Sequence, residues 1–264
     1  MLRLTLVSAF ALSCLIPIVA CPPPASTGEG EGEGEGQAGE GEGEGEGEGE
    51  GEGEGEGEGQ PVVPFAIDAT VQGKTYGEWA ASWGQFAVAA PLATSIIGDT
   101  TGAHCADGQA GPVFFLAGST GAAPVSRTCT VPVTADLFFP LINYFDDYPC
   151  PDPNFGPTGG QTLEQFLIAD AATYEDPVSA VTITVDGVAI PNAISFRAHS
   201  PIFDFTADIS WQQVDGCITG AQQQAVTDGY WMLLPPLGAG THTIHFTGTV
   251  ANGGQDVTYT LTAQ

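Results

Sequence analysis

The 264-residue chain carries 32 aspartates and glutamates against four lysines and arginines, a formal net charge of −28. A surface so poor in basic residues repels phosphate. It excludes nucleic acid and anionic lipid head groups as partners, since both are bound mainly through lysine and arginine.

At the N-terminus, Arg3 precedes an apolar stretch from Leu4 to Val19 that runs through small residues into Cys21. That layout is a secretory signal peptide over residues 1–20, too short to span a bilayer and interrupted by Pro17. The run Ile18-Val19-Ala20-Cys21 resembles the bacterial lipobox, and the resemblance implies that Cys21 is acylated and becomes the new N-terminus. Several acyl chains, at about 0.8 kcal/mol per buried CH₂, anchor a protein to a membrane without a spanning helix. The expected location is the bacterial cell envelope, at the outer membrane or cell surface.

Residues 21–60 then read as a disordered linker. Pro22-Pro23-Pro24 leads into a Gly-Glu repeat with fourteen glutamates between Glu29 and Glu58. Glycine at every second position disfavours a helix by about 1 kcal/mol each. Successive glutamates about 7 Å apart in an extended chain repel one another within the Debye length. The 39 residues from Pro22 to Gln60 reach about 35 Å as a coil and more when stretched, which keeps the rest of the chain off the membrane.

Residues 61–264 form the globular domain, with a candidate sub-boundary near 178. Eighteen acidic residues here face only Lys74, Arg127 and Arg197. Cys14 lies in the signal, which leaves Cys105, Cys129, Cys150 and Cys217 in the domain. They are expected to form disulfides in an oxidising compartment, with three pairings open. No C-x-x-C spacing points to redox or metal chemistry.

Within the domain a lead-in strand is predicted at Val62 to Val71. A helix follows from Thr75 to Ala90, because Thr75 and Glu78 make a capping box and Pro91 supplies the stop. Trp79, Trp83, Phe86 and Ala90 share one stripe of it, a core face or a carbohydrate-stacking platform at Trp79 and Trp83. Short strands are predicted at Val113 to Leu116, Arg127 to Pro132 and Leu137 to Ile142, with the prolines marking edges or bends. Tyr144 to Gly160 reads as a loop, and Thr162 with Gln165 caps a second short helix that ends near Tyr174. Beyond Pro177 the pattern is strands alone. Val181 to Val185 alternates into the hairpin signal Asp186-Gly187 before Val188 to Ile190. Further strands are expected at Ala193 to Arg197, Ile202 to Trp211, Tyr230 to Leu234, Thr241 to Thr249 and Asp256 to Thr262. The fold class is therefore mainly β, a β-sandwich of immunoglobulin-like or jelly-roll-like type with two short α-helices.

The segment from Leu237 to the end resembles the closing hairpin of immunoglobulin-like secreted modules. A broader set combines Tyr76-Gly77-Glu78-Trp79 and Trp83, Asp99-Thr100-Thr101-Gly102, Cys105, the run from Gln109 to Gly118, Arg127-Thr128-Cys129, and Gly229-Tyr230 with Leu237 to Phe246. This set is similar to a family of uncharacterised secreted proteins and lipoproteins of bacteria and archaea. The resemblance implies a shared fold with Cys105 and Cys129 as a pair, and it brings no activity with it.

Signals for chemistry are sparse. There is no G-x-S-x-G elbow, and the cysteines are accounted for as disulfides. Among the imidazoles His104, His199, His242 and His245, the last two are three residues apart in a predicted strand and point to opposite faces. Paired carboxylates remain open to a polysaccharide hydrolase, because aspartates are numerous. Asp146, Asp147, Asp152 and Asn154 crowd one predicted loop with hard oxygen donors, the kind calcium takes, and no other cofactor is expected. The expected function is a membrane-anchored, surface-displayed lipoprotein acting as a non-catalytic binding or structural module, with a glycan or protein ligand. The alternative is a cell-surface polysaccharide hydrolase using paired carboxylates.

Overall fold

The computed structural model describes residues 61–121, 123–250 and 253–264. The signal peptide, Cys21 and the Gly-Glu linker lie outside the described residues. No helix among the described residues is long and apolar enough to cross a membrane.

The domain is mainly β and has three layers. The first sheet is built from β1 (Val113–Phe115), β3 (Asp136–Tyr148), β8 (Gln222–Leu234) and β6 (Arg197–His199) in that order, with β7 (Phe203–Thr206) also on β8. The second has the order β2 (Val125–Val131), β10 (Gly253–Ala263), β9 (Gly240–Val250), β4 (Ala180–Val185) and β5 (Val188–Ala189). Pairing is antiparallel except for β1 with β3 and β2 with β10. Both sheets mix strands from either side of residue 178, so the sub-boundary read there does not divide the structure.

Period-two alternation explains the sandwich. In the second sheet Val181, Ile183 and Val185, Ile244 and Phe246, and Val257, Tyr259 and Leu261 all point inward, where they meet Leu137, Phe139, Met232 and Leu234 of the first sheet. The opposite face of the first sheet carries Phe138 and Trp231, stacked with ring centroids 5.2 Å apart, and is covered by α1 (Tyr76–Ala89). A smaller core under α2 (Leu163–Glu175) covers what the second sheet leaves bare. Both helices start at the capping boxes legible in the sequence, Thr75 with Glu78 and Thr162 with Gln165.

Several expectations shift. The lead-in segment is not a strand; it runs beside β8 through one bond, Phe65 N to Leu233 O, and ends in a Val71–Lys74 bridge. Ala193–Ser195 and Ile209–Gln213 are 3₁₀ turns rather than strand. Strand β3 runs through Pro140 and on to Tyr148, well into the stretch read as a loop. Proline is tolerated because β1 pairs only as far as Phe138, so beyond that point no neighbour on that side needs an N–H. The register slips between Pro140 and Ile142, and this bulge directs both Leu141 and Ile142 to the inter-sheet core. The Leu141 carbonyl freed by it accepts from Gln255 Nε2. Gly248 lies so close that a Cβ there would sit 2.6 Å from Ile142 Cβ.

Candidate functional site

The C-terminal end of α1 leaves carbonyls without helical partners. Asp208 N donates to Val88 O, and Trp211 Nε1 donates to Ala90 O at 2.9 Å. These bonds fasten the 208–218 segment across the helix end and place Trp211 opposite Trp83 of α1 and Phe145 of β3. The three rings and Ile218 line an apolar cleft with a cavity of about 50 Å³. That is room for about three waters or one compact group.

The mouth is polar. Ser119, Asn143, Asp215 and Gln255 ring it, with Val214 as the half-buried apolar member. Asn143 Nδ2 donates to Thr227 Oγ1 and Asp215 Oδ1 accepts from Cys217 N, while Gln255 Oε1 accepts from Ser119 N and the Ser119 hydroxyl donates to Gly121 O. A broader groove of about 460 Å³ lies by Gln109 and Thr130. It is lined mostly by residues with small side chains, and Gln109 is already bound to Cys105 O and to both polar atoms of the Phe115 backbone.

One pair of carboxylates adjoins the cleft. Oxygens of Asp147 and Asp215 lie within 4.8 Å of each other and of Cys217 Sγ. Cys217 is tied to Cys150 in a disulfide and cannot act as a thiolate ligand, which leaves two carboxylates and an incomplete metal centre. Asp147 is buried, and its Oδ2 accepts from Gln223 Nε2 at 3.0 Å.

The residues singled out from sequence fall as follows. Cys105 pairs with Cys129 and Cys150 with Cys217. Trp79 and Trp83 are core side chains, 7% and 3% exposed, with their indole N–H groups donated to Val71 O and Leu116 O. They offer no open platform for a sugar, because α1 turns this stripe onto the sheet. The four oxygen donors do not converge either. Asp146 and Asp147 belong to β3, where consecutive side chains point to opposite faces. Asp152 and Asn154 sit in the exposed loop beyond, where Asp152 Oδ1 accepts from both nitrogens of Asn154 in a turn. The imidazoles are scattered. His104 pairs with Asp107, His242 with Asp186 and His245 with Asp256, while His199 Nδ1 contacts Ser200 O.

Trp211, Asn143 and Asp215, which shape the cleft, carry no sequence signal beyond their types, since the cleft draws on six segments between residues 83 and 255. No protein-family model, curated protein or solved structure matches the chain.

Proposed function

We propose that the chain is a membrane-anchored, surface-displayed lipoprotein whose domain is a non-catalytic binding module, and that its cleft receives a compact apolar side chain of a protein partner. The observation that carries this reading is the ring of Trp83, Phe145 and Trp211 around a small cavity with a polar mouth, the usual make-up of a specific pocket. A glycan is the weaker candidate, because sugars stack on exposed rings and these are enclosed. Paired-carboxylate hydrolysis has one observation of its own, the closeness of Asp147 and Asp215. It stays second because Asp147 is buried and held by Gln223.

The cleft is testable with isobutanol as a stand-in for a compact aliphatic side chain. Saturation-transfer NMR on the full chain should show contact with it. Val214→Trp, which fills the mouth, should weaken it at least tenfold; no transfer, or transfer indifferent to that substitution, would refute the reading. The anchor is tested separately. Cys21→Ser should release the chain from membranes and abolish incorporation of labelled acyl chains, and labelling that persists would remove the lipobox assignment.

A further inference from the structure

Helix α2 is fastened to the first sheet by a small core of its own. Leu167 and Ala171 pack on Tyr144 and Val226, and Tyr174 stacks on Tyr144 with centroids 4.0 Å apart. The last residue of the helix, Glu175, is turned into this contact. It is 3% exposed, and its Oε2 has no hydrogen-bond partner.

The charged groups around it leave no counterion to spare. Asp228 and Tyr230 face it from β8, Arg197 from β6 and Asp176 from the helix's own end, while Asp146 lies on the same face of β3 as Tyr144. Among the described residues Arg197 is the one cation acting on it, and its fork is committed. Nε and Nη2 reach Asp228 at 3.2 and 2.6 Å, and Nη1 reaches Asp176 at 2.7 Å. An ionised Glu175 would be a third carboxylate sharing one guanidinium, in a place water does not reach.

We infer that Glu175 is an acid latch: as a neutral carboxyl it lets the C-terminal end of α2 seat against β8, and as a carboxylate it drives that end away. Burial, then the negative charge of Asp228, pushes Glu175 up from the ordinary 4.5 to about 8, against the opposing pull of Arg197. The sign follows from linkage. The seated form holds its proton more tightly than the released form, so docking is strongest below the ordinary value, weakens as pH rises through the window between the two values, and is level above about 8.

Hydrogen exchange on the full chain tests this, with the α1 amides as internal reference. From about pH 5 to about pH 8, protection of the α2 amides relative to α1 should fall by up to tenfold per unit, and then level off. In Glu175→Gln the ratio should be flat, provided α1 protection shows the variant folded. A second readout needs no variant: carboxyl ¹³C NMR should place the Glu175 midpoint near 8. A flat wild-type ratio, or a midpoint at the ordinary value, overturns the latch.

Discussion

Arg127→Ala is expected to destabilise the domain by about 4 kcal/mol, close to the loss that unfolds many domains outright. Arg127 points inward from β2 and is 2% exposed. Its guanidinium donates to three backbone carbonyls, Nε to Asp99 O, Nη1 to Ala117 O and Nη2 to Ile97 O, and Nη1 also reaches Tyr259 Oη. Removing it leaves the carbonyls of Ile97 and Asp99 without this donor, at about 1–3 kcal/mol each, and opens a cavity beside Tyr259. Ala117 O keeps the Tyr259 hydroxyl as donor. Buried charges can be replaced by apolar groups at little cost when their partners go with them. Here the partners are backbone and stay, so Arg127→Met, which refills the volume, should still lose about 2 kcal/mol. Urea denaturation of the three proteins decides the matter, and a loss below about 1 kcal/mol for alanine would show that water replaces the guanidinium.

The same knot shows why parts of the fold were legible. Asp99 sits in it with burial pushing its carboxyl up, but bonds from His104 N, Thr101 and Gly102 N outweigh that and hold it below the usual carboxylate range. Gly102 adopts φ +89° with Thr128 O only 2.2 Å from where a Cβ would be, so no other residue fits there. The Asp99 turn itself, like the two capping boxes and the Asp186-Gly187 turn, acts between residues a few positions apart and is written directly in the chain. The inward alternation of β4, β9 and β10 is equally local.

What was hidden depends on remote partners. The first half of β8, from Gln222 to Gly229, looks like polar turn sequence. It is a central strand because Gln223 donates to Asp147 Oδ2, Pro149 O and Cys217 O, and because Asp228 pairs with Arg197. Asp146 and Asp147 read as loop residues for the same reason, since adjacent aspartates resemble a turn until pairing with Val226 and Ala225 of β8 extends them as strand. The cleft was illegible altogether. Trp83 signalled a buried or stacking face, but only the docking of Asp208 and Trp211 on the end of α1 makes it a wall of a pocket.

Loss of the Cys150–Cys217 disulfide should be felt at that pocket as well as in overall stability. The bridge closes a sequence separation of 67 residues, against 24 for Cys105–Cys129. On the chain-entropy account the two stabilise by about 4.4 and 3.5 kcal/mol, so length alone gives the longer bridge an advantage of only about 0.9 kcal/mol. Position separates them more sharply. Cys129 lies in β2, two residues from Arg127 and locked in the inter-sheet core, whereas Cys217 lies in the segment that carries Trp211 and Asp215. That segment is otherwise held mainly by its bonds to the end of α1 and by Gln223, so the bridge is its covalent stay to the end of β3. Cys150→Ala with Cys217→Ala should therefore lower unfolding stability by about 4 kcal/mol, and in whatever fraction stays folded weaken contact of isobutanol with the cleft. Cys105→Ala with Cys129→Ala should produce a similar stability loss while leaving the cleft contact of the folded fraction intact. Denaturation midpoints and saturation transfer measured on both pairs separate the two effects, and equal loss of cleft contact in both would show that the bridge does not hold the wall.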